Sequence, residues 1–276
     1  MEDIKAISTQ IRRDIIRMIH GAASGHPGGS LSCTDLLAVL YFQIMEHSPK
    51  PFNMNGEEED VFFLSNGHIS AAWYSVLARS GYFDINELAS FRKLNTRLQG
   101  HPTTAEGLPG IRVASGSLGQ GLSVAIGLAK TKKMNNDNHS VFALMGDGEL
   151  QEGQIWEAAM YAGSNKIDNL VAIVDYNKQQ IDGSTDDVLS LGDLKAKWHA
   201  FGWKVLEMNG HNHQEIYDTL KQAKEYKGEA VVILMHSEMG YGVDFMMGTH
   251  KWHGNAPNDE QAENALSQLT ETLGDY

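Results

Sequence analysis

The chain has 276 residues, 42% of them hydrophobic, with glycine outnumbering proline 28 to 6, a composition that supports one well-buried core and the expectation of a single domain over 1–276. A net charge of −13 opposes tight non-specific binding to nucleic acid or anionic lipid, and no window approaches the roughly 18 uninterrupted apolar residues of a membrane span. The lone Cys33 has no partner for an internal disulfide and the charged, amphipathic "MEDIKAISTQIRRDIIRMI" does not read as a signal peptide, so a cytoplasmic location is expected.

In chain order, helical periodicity comes first, at Ile11, Ile15, Met18 and Ile19, and again at Leu36, Leu37, Leu40, Tyr41 and Ile44; the turn "SGHPGGS" between them presents His26. The loop "EHSPKPFNMNGEEED" follows, its acidic run Glu57 to Asp60 expected to be a solvated face. The β-rich run "VFFLS" (61–65) leads into "SNGHIS" with His68, and the long loop "NTRLQGHPTTAEGLPGIRVASGSLGQG" carries His101 into a helix marked by Leu122, Ile126 and Ala129. Then come "VFALM" (141–145), Gly146-Asp147-Gly148, a helix from near Gln151, and "LVAIVDY" (170–176). "WKVLEM" (203–208), a helix with Ile216, Leu220 and Ala223, "AVVILM" (230–235) and the loop "HSEMGYGVDFMMGTHKWHGNAPND" with His253 complete the chain. Short, near-continuous apolar runs suit parallel strands covered on both faces, and their alternation with helices predicts an α/β fold, a parallel β-sheet flanked by helices on both faces.

In such a sheet ligands sit beyond the carboxyl ends of the strands, where Gly146-Asp147-Gly148 and Asn177 both fall. One carboxylate and one amide oxygen, open to further oxygens, make a site for a hard cation such as Mg²⁺, which keeps water and ligand phosphates in its shell. Gly146 and Gly148 let the backbone turn sharply near a diphosphate, and the following helix directs N–H groups toward an anion. A Gly-Asp-Gly turn and a capping asparagine would be the bland account; the pairing of two strand mouths at this spacing favours the ligand site.

Gly-Asp-Gly followed about thirty residues on by Asn resembles the thiamine diphosphate motif, and "LQEG", "EA" and "YNKQQIDG" between and after resemble transketolases. Many bearers of the motif end in Asn-Asn where this chain has Tyr176-Asn177, a difference that the transketolase branch tolerates. The resemblance implies Asp147, Asn177 and the main-chain carbonyl of Gln179 as Mg²⁺ ligands, with Ca²⁺ or Mn²⁺ as substitutes, and Ile181 against the thiazolium ring. It also implies cofactor contacts at Gly146, Gly148 and Glu149.

Twelve histidines are too many for each to be special. Four stand in glycine-bearing turns ("SGHPGGS", "SNGHIS", "QGHPTT", "KWHGNAP"), where an imidazole can be presented at a cleft to donate, accept or carry a proton. Together they resemble the histidines lining the transketolase cleft, in the same order. That resemblance implies His101 at the donor's terminal hydroxyl, His26 and His253 in proton transfer where the carbon–carbon bond breaks, and His68 near the diphosphate. His250, three residues before His253, is the competing assignment, and the other histidines are read as structural. "GSLGQGLSVAIGLAK" matches the family's glycine-rich pattern, which implies a cofactor contact at Leu118 and close approach at Gly116. Glu152 is either a solvated charge or, by the family reading, part of a proton relay at a subunit interface.

The resemblance spans nearly the whole chain but only the first portion of a full-length transketolase. The pyrimidine-binding domain, with its activating glutamate, and the C-terminal domain have no counterpart here, so the chain reads as one subunit of a split enzyme acting on small sugars with a C-terminal transketolase partner, two of each forming α2β2. The competing readings are a subunit of another thiamine diphosphate enzyme, deoxyxylulose phosphate synthase-like or 2-oxoacid dehydrogenase E1-like, and a non-catalytic, cofactor-binding regulatory subunit.

Overall fold

Each apolar run becomes a strand of one parallel sheet in the computed structural model, which describes residues 3–276. The strands are β1 (Val61–Leu64), β2 (Val141–Gly146), β3 (Leu170–Tyr176), β6 (Lys204–Asn209) and β7 (Val231–His236), in the order β1-β2-β3-β7-β6. A short antiparallel ribbon, β4 (Gln179–Gln180) with β5 (Gly183–Ser184), lies just beyond β3.

The strands are apolar on both faces because both faces are covered. Phe62, Leu64, Phe142, Leu144, Val171, Ile173 and Ile233 belong to one core. Their neighbours Phe63, Val141, Ala143, Met145, Ala172, Val174 and Val232 belong to the other, as the two-residue side-chain period requires. The first core is closed by α1 (Ile4–Ala22), α2 (Pro27–Ser32), α3 (Thr34–Val39), α4 (Ser70–Arg79), α9 (His213–Glu225) and α10 (Asp259–Gln268), the second by α5 (Gly121–Met134), α6 (Gly153–Ser164) and α8 (Leu194–Ala200); α7 (Thr185–Leu189) follows the ribbon. All four periodic segments read from the sequence lie in these layers, the second continuing from α3 into a π-helical turn at Leu40–Ile44. Among the described residues no helix is long and apolar enough to cross a membrane.

The acidic run departs from expectation. Glu57 and Glu58 are exposed, but Glu59 and Asp60 are buried. Asp60 accepts the N–H groups of Glu46 (2.8 Å) and Ser140 (2.7 Å) and pairs with Lys224 of α9 (2.7 Å), while Glu59 pairs with Arg112 (2.5 Å). The loop enters β1 beneath the sheet, where hydrogen-bonded and paired carboxylates are tolerated. The helix expected from near Gln151 starts at Gly153, after a 3-10 turn over Gly148–Gln151. The runs "WKVLEM" and "AVVILM" begin one residue before their strands; Trp203 is a buried anchor whose indole N–H donates to the Ala159 carbonyl (2.8 Å).

Candidate active site

β2 ends at Gly146, paired in register with Asp175, and β3 runs one residue further to Tyr176, so Asp147 and Asn177 are the first residues beyond two neighbouring strand mouths. The Asp147 N–H donates to the Asp175 carbonyl (3.2 Å), tying the two mouths directly. The Asp147 carboxylate is buried, accepts the N–H groups of Gly148 (2.7 Å) and Lys178 (2.5 Å), and has no cationic side chain as partner. Burial, reinforced by the nearby Asp175 carboxylate, pushes its pKa up to about 8. Asn177 donates through Nδ2 to Asp175 (2.9 Å) and accepts the Gln179 N–H at Oδ1 (2.9 Å). Asp175 is a buried hub that also accepts the hydroxyls of Ser32 (2.6 Å) and Ser237, so α2, β3 and the end of β7 fix the orientation of Asn177. Gln179 is held by the β4–β5 ribbon and lines the cleft.

This donor set fits a Mg²⁺-diphosphate. A cation beside Asp147 would relieve the burial of its charge, and among the described residues no three His, Cys, Asp or Glu side chains converge as an all-protein cage. The remaining shell would come from a carbonyl, water and phosphate oxygens. Among the described residues, Asn66 Oδ1 and His253 Nδ1, both lining the same cleft, are buried without a hydrogen-bond partner, although buried polar atoms ordinarily have one. A polar ligand head would supply it.

The cleft, about 330 Å³, is lined on one side by Gly146, Asp147, Gly148, Glu149, Asn177 and Gln179, and on the other by His26, His68 and His253, with Leu118 and Ile181 as apolar contacts. His26 immediately precedes α2, its side chain free of any capping bond, and His68 lies in the 3-10 turn Gly67–Ile69 after β1. The His26 ring is 5.0 Å from His68, 5.6 Å from His253 and 6.5 Å from His101. His68 and His253 rings are 5.1 Å apart, so the structure brings together all four histidines singled out by their turns, with His253 rather than His250 in the cluster. His101 is exposed at the rim and does not line the cleft itself. Desolvation lowers all four: His26 is pushed down to about 4 with further help from His253, Arg92 and His101, His68 falls well below the ordinary value, and His101 and His253 also fall. Away from the cleft, His211 and His213 bond Asp35, which Arg12 also grips, and His20, His139 and His236 face carboxylates of Asp259, Asp137 and Glu207.

The glycine-rich loop is fastened from behind. Gly116 has φ 125°, and a Cβ there would come within 2.6 Å of His101 Cδ2; a Cβ on Gly67 would come within 2.7 Å of the Gly116 nitrogen. The two segments meet backbone to backbone, which a larger residue at either position would prevent. Glu149 is buried and accepts the Ser65 hydroxyl and the N–H groups of Gly119 (2.9 Å) and Gly146 (3.2 Å). It thus joins the ends of β1 and β2 to the loop. Glu152 is exposed at the start of α6, on the cleft's edge. Ile181 is 62% exposed, an apolar side chain at the open side of the cleft. Residues that motif reading passed over are Asn66, Asp175, Ser32 and Ser237; for Asn66 the signal was present, since it stands two residues before His68 in "SNGHIS".

Fold and strand-mouth geometry together define a thiamine diphosphate-binding domain, and comparison with known proteins gives its family. The family model "Transketolase, thiamine diphosphate binding domain" matches residues 4–273. The chain is 39% identical over 274 residues to a subunit of the apulose-4-phosphate transketolase of Phocaeicola vulgatus, spanning 99% of this chain and 96% of that one. It is likewise 39% identical over 267 residues to a 6-deoxy-6-sulfo-D-fructose transketolase subunit of a Clostridium species, spanning 97% and 96%. The solved transketolase of Leishmania mexicana superposes with a TM-score of 0.91 at 30% identity, covering 100% of this chain and 43% of that one. The chain belongs to the transketolase family, matching whole subunits of split members and less than half of the single-chain enzyme.

Proposed function

We propose that this chain is the diphosphate-binding subunit of a thiamine diphosphate-dependent transketolase, moving a two-carbon ketol unit from a ketose to an aldose together with a C-terminal partner that carries the pyrimidine-binding domain, as α2β2. The observation that carries the reading is the juxtaposition of Asp147 and Asn177 at adjacent strand mouths facing the four-histidine cluster. Asp147 and Asn177 side chains with the Gln179 carbonyl hold Mg²⁺, and Gly116, Leu118, Gly146, Gly148, Ile181, His68 and His253 surround the cofactor; Glu149 acts through the backbone groups it binds. Thiamine diphosphate supplies the nucleophile and electron sink that protein side chains lack.

The protein's own contribution is positioning and proton handling. Neutral imidazoles each offer one donor and one acceptor, so the depressed pKa values suit His26 and His253 to shuttle the proton of the hydroxyl whose carbon–carbon bond is cleaved. His101 at the rim meets the donor's terminal hydroxyl, and His68 lies toward the diphosphate. Glu152, exposed beside the cleft, is available for a relay that crosses a subunit boundary. The names of the two split relatives specify a sugar phosphate and a sulfo sugar, so we assign a ketose with an anionic group as the substrate class. The test is to combine the chain with a separately encoded pyrimidine-domain partner, thiamine diphosphate and Mg²⁺ and to assay ketol transfer. Transfer is expected to require both subunits and to collapse in Asp147→Ala; undiminished transfer in that variant refutes the site.

A further inference from the structure

Arg92 stands apart from the other arginines. Arg12 pairs with Asp35, Arg13 and Arg17 with Asp275, Arg79 with Asp14, Arg97 with Glu87 and Arg112 with Glu59. Among the described residues Arg92 alone has no carboxylate, in a chain of net charge −13 where counterions abound. It is half-buried, its Nε is buried without a partner, and burial lowers its pKa. A half-buried guanidinium without a carboxylate costs stability that its position over the Phe91 ring, 5.5 Å to the centroid, offsets only in part, and the structure shows what it holds in return.

The backbone at Arg92 is left-handed (φ 56°), fixed by its N–H donating to the Leu98 carbonyl (2.8 Å). From there the guanidinium lies over Gly100, where a Cβ would come within 3.0 Å of Cζ. One amino group donates to Ser24 Oγ (2.8 Å); the other faces the Gly100 carbonyl (3.4 Å) and His26 Nδ1 (3.5 Å). Arg92 therefore ties together two segments, 24–26 and 100–101, one ending in the cleft histidine His26 and the other in His101 at the rim. A guanidinium only donates and keeps its proton, so a hydrogen bond across this contact requires the imidazole nitrogen as the acceptor. In that arrangement His26 Nε2 carries the proton, on a ring that forms a triangle with those of His68 and His253.

We propose that Arg92 is a positioning residue for the reaction assigned above: its guanidinium fixes His26 as the tautomer protonated at Nε2 and sets the spacing of His26 and His101. At 3.5 Å the contact is long for a hydrogen bond, so the field of the cation contributes alongside the bond itself. That field also opposes a second positive charge on either ring. The groups acting on His26 are His253 from the last loop, His101 from the rim and Arg92, with the His68 ring close by. No carboxylate is among them, so nothing there offsets the guanidinium.

The experiment reads His26 directly in the full chain, with neither partner nor cofactor, by long-range ¹H–¹⁵N correlation on ¹⁵N-histidine-labelled protein, the ring assigned with His26→Asn. In the wild type, Nδ1 is expected to be unprotonated and Nε2 protonated. In Arg92→Met the two tautomers mix and the midpoint of His26 rises by a fraction of a pH unit, since burial and His253 depress it more than Arg92 does. Arg92→Lys keeps the low midpoint through its charge but loses the single tautomer, and remains informative should the methionine variant not fold. In the assembled enzyme the acid limb of kcat/KM shifts upward by the same amount in Arg92→Met alone. A wild-type His26 protonated at Nδ1, or an Arg92→Met chain with unchanged tautomer and midpoint, overturns the assignment. A correct tautomer in a chain that shows no ketol transfer with its partner would instead count against the proposed reaction and leave the role of Arg92 standing.

Discussion

Removing the Glu149 carboxylate tests whether the cofactor cleft is held open by one buried acceptor. In Glu149→Ala the backbone N–H groups of Gly119 and Gly146 and the Ser65 hydroxyl lose their common acceptor in a buried setting; Ser65 Oγ still accepts the Gly121 N–H (3.2 Å), which leaves its own proton without an acceptor. Three stranded donors at about 1–3 kcal/mol each give a gross loss of about 3–9 kcal/mol. Burial has raised the Glu149 pKa despite its three donors, so deleting the carboxylate returns part of its desolvation cost, leaving about 2–4 kcal/mol net. For a chain of this length that lowers the melting temperature by roughly 5–15 °C. Glu149→Gln keeps one oxygen for Ser65 and Gly119 but turns its amide donors toward the Gly146 N–H, and is expected to cost only about 1–2 kcal/mol. Urea unfolding of the chain alone gives both numbers, and calorimetry in the assembled complex should show thiamine diphosphate binding about tenfold weaker in the alanine variant, a loss of about 1.4 kcal/mol. An alanine variant within about 0.5 kcal/mol of wild type, or a glutamine variant as unstable as alanine, would refute the reasoning.

Three further outcomes follow from other parts of the structure. Gly116→Ala places a Cβ at φ 125° within 2.6 Å of His101; about 1–3 kcal/mol of strain and a raised KM for the ketose are expected, measured by denaturation and steady-state kinetics. His26 and His68 are depressed from the ordinary 6.5, His26 to about 4, so the unfolded chain binds their protons first: their contribution to stability is full above pH 6.5 and is lost as pH falls toward 4. His26→Asn should flatten that decline in a pH series of urea midpoints, and an unchanged slope would contradict the burial of the ring. Lys224→Met leaves Asp60 buried without its cation and should cost about 3–5 kcal/mol, with Asp60→Asn restoring part of it in the double variant; strict additivity in that cycle would deny the pair.

The elements that local pattern could reveal were those whose environment repeats along the chain. β1, β2 and β3 read as apolar runs because alternate residues such as Phe62 and Phe63 enter separate cores, leaving no polar position in between. The metal-diphosphate residues were legible because Asp147 and Asn177 each stand one residue beyond the end of an apolar run, at the mouths of the neighbouring strands β2 and β3. What stayed hidden depends on partners far away in sequence. α4 is buried from Ser70 to Ala78 and so carries no polar stripe to give it a period. Asp60 resembles its exposed neighbours Glu57 and Glu58 and differs only in meeting Ser140, 80 residues on, and Lys224, 164 residues on.

Dependence on distant partners is also why the family motif found the cleft histidines but not Arg92. A histidine flanked by glycine announces a turn locally, whereas the meaning of Arg92 lies in a carboxylate that fails to meet it and in a ring, His26, brought beside it 66 residues away. Sequence alone offers every arginine here an acidic neighbour somewhere in a chain with 35 Asp and Glu against 22 Lys and Arg. Only the folded arrangement separates the six whose charge is neutralised from the one whose field falls on the cleft. Because that field is long-ranged compared with a hydrogen bond, its loss should appear in the titration of both His26 and His101, although only His26 faces the guanidinium directly.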